Sequence, residues 1–145
     1  MIQIEKITEL TPTLKEELLQ VWEASARSSH HFLTEADIDF FRPRVRDIYL
    51  PAVDLYVIRD KGIAAFMGLS DGMVEMLFVL PSEKGKGYGT ALLNYAFEEE
   101  HIGKVDVNED NVEAYRFYLG RGYRVKGRDE TDADGKPFPI LHLEK

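Results

Sequence analysis

The sequence predicts one α/β domain over residues 1–145: a mixed, mostly antiparallel sheet with parallel central strands and about four helices. Three observations predict it. Short apolar segments separated by turn residues crowd the stretch 53–79, as antiparallel strands do. An apolar run of strand length ending at Leu80-Pro81 passes through a loop with glycine at 85, 87 and 89 directly into a helical pattern. That helix leads to a second apolar strand, Val105-Asp106-Val107, and a strand–helix–strand crossover makes its two strands parallel.

Taken in order, Ile2 to Ile7 alternates apolar and polar residues, which predicts a first strand with one buried face. Thr11-Pro12-Thr13 announces a helix, with Thr13 and Glu16 as its capping box. Leu14, Leu18, Val21 and Trp22 lie on one stripe of it to about Ser28. Thr34-Glu35-Ala36-Asp37 starts a second helix, in which Ile38, Phe41, Val45 and Ile48 recur at helical spacing until Pro51. Its Arg42, Arg44 and Arg46 scatter around the helix and read as a solvated face.

Val53–Ile58, Ile63–Leu69 and the central strand from Met73 follow, joined by turns at Asp60-Lys61-Gly62 and Asp71-Gly72. The third helix buries Ala91, Leu92, Tyr95, Ala96 and Phe97 and ends near Gly103. A fourth helix spans about Asn111 to Gly120. Tyr123-Arg124-Val125 and Pro139 to Leu143 close the chain as a hairpin around a long polar loop.

Composition narrows the function. Hydrophobic residues at 44% and charged residues at 30% describe a soluble globular chain with a real core. No apolar run approaches the roughly 20 residues of a membrane helix, and MIQIEKITEL lacks a signal region, so the reading is cytoplasmic with no membrane partner. The net charge of −8, with no Lys/Arg cluster interleaved with aromatics, argues against nucleic acid. Without cysteine there is no thiolate nucleophile or ligand, and the four histidines lack ligand spacing, so no metal is expected. Residues 1–83 carry 8 basic and 14 acidic side chains (−6), and residues 84–145 carry 10 and 12 (−2).

The less acidic half holds the glycine loop, whose chemistry is that of an anion site. Glycines admit conformations closed to other residues and leave the amides bare, while the new helix offers unpaired N–H groups and a positive dipole end. Lys84 and Lys86 add charge there. The spacing is neither the phosphate loop GxxxxGK[ST] nor GxGxxG, since Gly85-Lys86-Gly87-Tyr88-Gly89 is one residue tighter.

Val79-Leu80-Pro81 followed by Lys84-Gly85-Lys86-Gly87-Tyr88-Gly89 and Thr90-Ala91-Leu92-Leu93 resembles the acetyl-CoA loop of the GNAT N-acetyltransferases, with Lys84 standing where the family has Gln or Arg. A second motif, N-x-x-A-x-x-F-Y-x-x-x-G-Y, matches at Asn111, Ala114, Phe117, Tyr118, Gly122 and Tyr123. The stretch Ser29-His30-His31-Phe32-Leu33 and the ending from Gly127 to Pro139 resemble the YjaB-type branch of bacterial GNAT proteins.

The resemblance implies a GNAT-like acyl-CoA N-acyltransferase fold whose parallel strands splay to admit pantetheine. It implies acetyl-CoA as cosubstrate, an amine acceptor, protein lysine or small molecule, and direct attack in a ternary complex. Backbone groups of Phe78 and Val79 would contact pantetheine and polarise the thioester carbonyl. The segment Lys84, Gly85, Lys86, Gly87, Tyr88, Gly89 and Thr90 would hold the pyrophosphate, with Asn111 binding from the other strand's side.

Tyr118, seven residues after Asn111 and on the same helix face, is the expected general acid, with Phe117 turned to the core. Glu75, given the parity of Leu77 and Val79 on the central strand, is the expected base. His30, His31 and Phe32 are expected on the acceptor side. A homodimer is compatible with the chain. The rival reading is a sensor that binds a CoA ester without turnover; a nucleotide-binding protein is the weaker rival, since the loop fits no nucleotide motif.

Overall fold

The computed structural model describes residues 2–29 and 32–145. Its sheet has seven strands, β1 (Glu5–Lys6), β2 (Asp54–Arg59), β3 (Ile63–Ser70), β4 (Met73–Val79), β5 (Lys104–Asn108), β6 (Arg124–Asp129) and β7 (Ile140–Glu144), in the order β1-β2-β3-β4-β5-β7-β6. Only β4 and β5 run parallel, the remaining pairs being antiparallel. The helices are α1 (Pro12–Ser29), α2 (Glu35–Arg44), α3 (Tyr88–Glu98) and α4 (Val112–Leu119). The predicted mixed sheet with four helices is what the chain forms.

Alternation along the strands sorts the core into two halves. Leu55, Val57, Phe66, Met76 and Phe78 pack under α1 and α2, with Leu18 and Trp22 of α1. Tyr56, Ile58, Ala65, Met67 and Val74 pack under α3 and α4, with Leu92, Leu93 and Tyr118. Burial of each such leucine contributes about 1.5–3 kcal/mol, which is what seats the helices on the sheet.

Local departures have local causes. The first strand is only Glu5–Lys6, paired to Val57 and Tyr56, with Ile4 packed on the core ahead of it. The first helix is capped by Thr11 rather than Thr13: Leu14 N donates to Thr11 Oγ1 at 3.1 Å, and Pro12, which has no N–H to satisfy, takes the first helical position. Thr34 and Asp37 do form the expected capping box on α2.

Pro43 sits inside α2 and cannot donate to the carbonyl four residues back. The chain then widens into a π-helical turn over Val45–Tyr49 and tightens into a 3-10 turn over Leu50–Ala52. The three arginines are paired rather than freely solvated, Arg42 with Glu23 and Asp39, Arg46 with Asp47, and Arg44 with its guanidinium 3.6 Å above the Phe40 ring.

Two irregularities in the sheet position the site. Gly68 pairs with Met76 and Leu69 with Val74, so Glu75 is an extra residue in β4, a β-bulge. And β4 meets β5 in register at Val74 and Val105, beyond which the two strands part along Leu77, Phe78 and Val79.

Candidate active site

Where β4 parts from β5, its end opens into a cleft of about 440 Å³. Leu77, Phe78 and Val79 form one wall, the loop from Lys84 and the first turn of α3 the end, and Asn111, Ala114, Phe117 and Tyr118 of the α4 region the opposite wall. Of the residues predicted to hold the cofactor, Phe78, Val79, Lys84, Gly85, Gly87, Tyr88, Gly89, Thr90, Asn111 and Tyr118 all border this cleft.

The three loop glycines serve two ends. Gly85 and Gly87 adopt φ values of 84° and 85°, the left-handed region that costs other residues energy. Gly89 does not; a Cβ there would lie 3.4 Å from Phe117 Cζ, so its part is to let α3 approach α4. Gly87 is the N-cap of α3 and has no side chain to cap it. The first intrahelical donor is Ala91 N, to Gly87 O at 2.9 Å, so the amides of Tyr88, Gly89 and Thr90 have no acceptor within the helix and remain for an anion.

The lysines contribute less than their sequence suggests. Lys84 Nζ is 2.7 Å from Glu113 Oε1, and Lys86 Nζ lies 2.5 Å from Glu83 Oε2 and 3.6 Å from Asp60, away from the cleft. Both cations are already matched by carboxylates. The guanidinium at this end is that of Arg121, which the motifs did not single out. Its Nε donates to Thr90 Oγ1 at 3.0 Å, and the group rests 4.1 Å from the centre of the Phe117 ring. Its position one turn past Phe117, just beyond the end of α4, is the available signal.

Asn111 and Tyr118 share the cleft face of α4, as their seven-residue spacing predicts. Asn111 is buried, and its Oδ1 caps the helix by accepting from Ala114 N at 3.2 Å. Tyr118 is 6% exposed, between the rings of Phe117 at 5.4 Å and Tyr123 at 5.7 Å. Burial, with Tyr123 as a lesser cause, pushes its hydroxyl pKa well above the ordinary tyrosine value. Phe117 packs against the core, as expected, and its ring also lines the cleft beside Gly89.

Glu75 lies elsewhere. The bulge interrupts the alternation that gave it the parity of Leu77 and Val79: those two face α3 and α4, whereas Glu75 lines a second cavity of about 210 Å³ with Met76 and Phe78 under α1 and α2. Desolvation, then the negative charges of Asp106 and Asp71, raises its carboxyl pKa although the side chain reaches solvent. Phe32 lines this same cavity, 5.6 Å from the Phe138 ring. His30 and His31 lie outside the described residues. Phe78 is the residue common to both cavities. Among the described residues there is no acidic or histidine cluster able to hold a metal, and no helix long and apolar enough to cross a membrane.

Comparison with known proteins agrees with this geometry. The family model described as an acetyltransferase (GNAT) domain matches residues 51–125. The peptidyl-lysine N-acetyltransferase YjaB of Escherichia coli (strain K12) is 35% identical over 134 residues, covering 88% of this chain and 88% of that protein. YjaB of Salmonella typhimurium is 34% identical over 131 residues, covering 88% and 89%. The solution structure of apo-form YjaB from Escherichia coli superposes with a TM-score of 0.88 at 32% identity, over 99% of this chain and 97% of that one. The PaiA N-acetyltransferase of Thermoplasma acidophilum, solved in complex with coenzyme A, shares the fold at TM-score 0.72 and 17% identity, covering 100% and 99%. With its glycine loop, its parted β4 and β5, and relatives that match along nearly their whole length, the chain belongs to the GNAT acetyltransferase family.

Proposed function

We propose that this protein uses acetyl-CoA to acetylate a primary amine, on a protein lysine or a small molecule, with both substrates bound at once. The observation that carries the reading is that two cavities meet at Phe78, one ending in unpaired helix amides and the other holding a carboxylate. The first suits coenzyme A chemically: left-handed glycines, the amides of Tyr88 to Thr90 and Arg121 offer donors to phosphates, and an apolar slot continues toward Phe78. Bound there, acetyl-CoA supplies an activated acetyl thioester.

The chain's own groups divide the remaining work. The strand edge at Phe78 and Val79, where β4 has parted from β5, borders the slot with backbone groups that orient and polarise the carbonyl. Tyr118, kept protonated by burial, holds a proton at Oη for the sulfur that leaves as the C–S bond breaks. Glu75 takes the proton released by the attacking nitrogen as the N–C bond forms, through water where the amine is not in reach. The YjaB relatives, named peptidyl-lysine N-acetyltransferases, support lysine among the acceptors.

The test is release of CoA thiol from acetyl-CoA across a library of amines that includes lysine peptides. Release that depends on the amine is expected. Tight acetyl-CoA binding with no release for any amine would replace the reading with the sensor.

A further inference from the structure

The loop joining β6 to β7, residues 130–139, lends Asp132 and Phe138 to the lining of the second cavity, and it is ordered from within. Asp132 Oδ1 accepts from the backbone N–H of Asp134 at 3.0 Å and of Lys136 at 2.9 Å. Asp132 N donates to Lys136 O, Gly135 N donates to Asp132 O, and Gly135 supplies the left-handed residue at φ 74° that the reversal needs. The segment is therefore a preformed strap rather than a slack tether.

At its end Glu109 N donates to Pro139 O at 2.9 Å, and the rest of its fastening to the body of the protein is by a few side chains. The carboxylate of Asp134 accepts the hydroxyl proton of Tyr49 and faces Arg44 Nε at 3.7 Å. Lys136 Nζ lies 4.1 Å from the centre of the Phe40 ring. Beyond the fastening, Phe138 packs 5.6 Å from Phe32 and 6.3 Å from Phe41, closing an aromatic wall over the cavity that holds Glu75. Tyr49 is in reach because the π-helical turn after Pro43 delivers it to the cavity rim. The hydroxyl stays a donor throughout the working range, since burial and then the Asp134 carboxylate raise its pKa.

We propose that Asp134 is a latch that seats the strap on Tyr49 and Arg44 and thereby sets acceptor selectivity, admitting amines on slim unbranched alkyl stems and refusing bulky or α-branched ones. This rests on the acetyltransferase reading above. Asp134 is a positioning residue. It lies outside the cavity lining, and it acts through Asp132 and Phe138, which lie within it.

Three variants of the full chain test it: Asp134→Ala, Tyr49→Phe and Asp134→Asn, each assayed with n-butylamine, a lysine peptide and cyclohexylamine. Loss of one charge-assisted hydrogen bond at a partly exposed site corresponds to roughly three- to tenfold in equilibrium. Asp134→Ala and Tyr49→Phe should therefore raise KM for n-butylamine by about that factor, with kcat held within about twofold. They should shift the cyclohexylamine to n-butylamine ratio of kcat/KM upward by about the same factor, and leave acetyl-CoA affinity by calorimetry unchanged. Asp134→Asn, which keeps an acceptor for Tyr49, should restore most of the selectivity.

Backbone hydrogen exchange supplies a readout independent of turnover. The amides of Lys136 and Phe138 should exchange faster in Asp134→Ala and not in the α3 region. Equal exchange, or an unaltered amine ratio in an active enzyme, overturns the latch. A wild-type chain that acetylates no amine would instead overturn the parent reading, with the exchange result still deciding whether the strap is latched.

Discussion

Lys84 Nζ and Glu113 Oε1 stand 2.7 Å apart, an ion pair that ties the glycine loop to the first turn of α4 across the mouth of the larger cleft. The pair puts a carboxylate beside a site suited to phosphates and spends Lys84 on a local partner. Glu113→Gln should therefore tighten CoA binding by roughly threefold at low salt, and Lys84→Ala should weaken it by a similar factor, as partly exposed charges do. Calorimetry at two ionic strengths checks both, and looser binding in Glu113→Gln would mean that the pair serves to hold the loop shut.

Gly87 and Gly89 should fail differently. A Cβ at 87 would meet Ile2 Cδ1 at an ordinary 3.9 Å, but valine must hold a φ near 85°, a conformation that costs an L residue on the order of 1–2 kcal/mol and more when β-branched. The loop should relax out of its cradle, abolishing acetyl-CoA binding while circular dichroism still reports a folded chain. Gly89→Ala keeps its backbone conformation and instead presses on Phe117, so its loss should be smaller and accompanied by a lower Tm. Unchanged affinity in folded Gly87→Val would refute the anion site.

Tyr118→Phe keeps the packed ring and removes only the proton. A loss on the order of 10² in kcat is expected with acetyl-CoA affinity intact. Because its pKa is raised, the wild-type enzyme should show no alkaline limb from this group below pH of about 10. Wild-type kcat in the variant, measured where chemistry limits the rate, would dismiss the tyrosine.

Glu75 must be ionised to accept a proton, and its raised pKa moves the acid limb of kcat/KM upward from the ordinary carboxylate range. Asp71 is one of the two like charges responsible and occupies a positive-φ turn that asparagine tolerates. Asp71→Asn should accordingly shift that limb to lower pH, and Glu75→Gln should remove it. An identical pH profile in Glu75→Gln would exclude Glu75 as the base.

How far the site was legible depended on how local its parts are. The glycine loop, the Asn111–Tyr118 spacing and the Thr34 cap are each set within a turn or two of the chain, and each stands where the sequence put it. Strict alternation puts Glu75 on the wrong face, because the bulge that breaks it is defined only by the partner strand, through Leu69 and Gly68. The carboxylates that occupy Lys84 and Lys86 and the hydroxyl that meets Asp134, 85 residues away, are fixed by tertiary approach and leave no trace in periodicity. Arg121 was the exception, readable from its helical offset but outside the recognised motifs.

His142 on β7 ties three strands, with Nδ1 2.6 Å from Asp106 on β5 and Nε2 2.9 Å from Asp129 on β6. Hydrogen bonds to the two carboxylates, Asp106 first, raise its pKa above 6.5. The protonated imidazole is thus favoured by folding, so its contribution is full below the unfolded value of 6.5 and fades as pH rises through the higher folded one. Tm of wild type should exceed that of His142→Gln most at pH of about 5.5 and least at about 9. A gap that widened with pH would show the imidazole is held neutral.

Phe78 is the one side chain both cavities share, and the division it marks runs through the whole architecture. On the proposed reading, donors for the cofactor would come chiefly from main-chain amides at a helix start, which substitutions that keep the loop's glycine conformations leave in place. The cavity proposed for the acceptor is lined by side chains of α1, α2, the strap and the strand ends around Glu75, Asn108 and Ile140, each exchangeable one at a time. Descent with modification could therefore repaint what the protein acts upon while the grip on its universal acyl carrier stayed fixed, and the mutational route between acceptors would pass through viable intermediates so long as position 78 kept its ring.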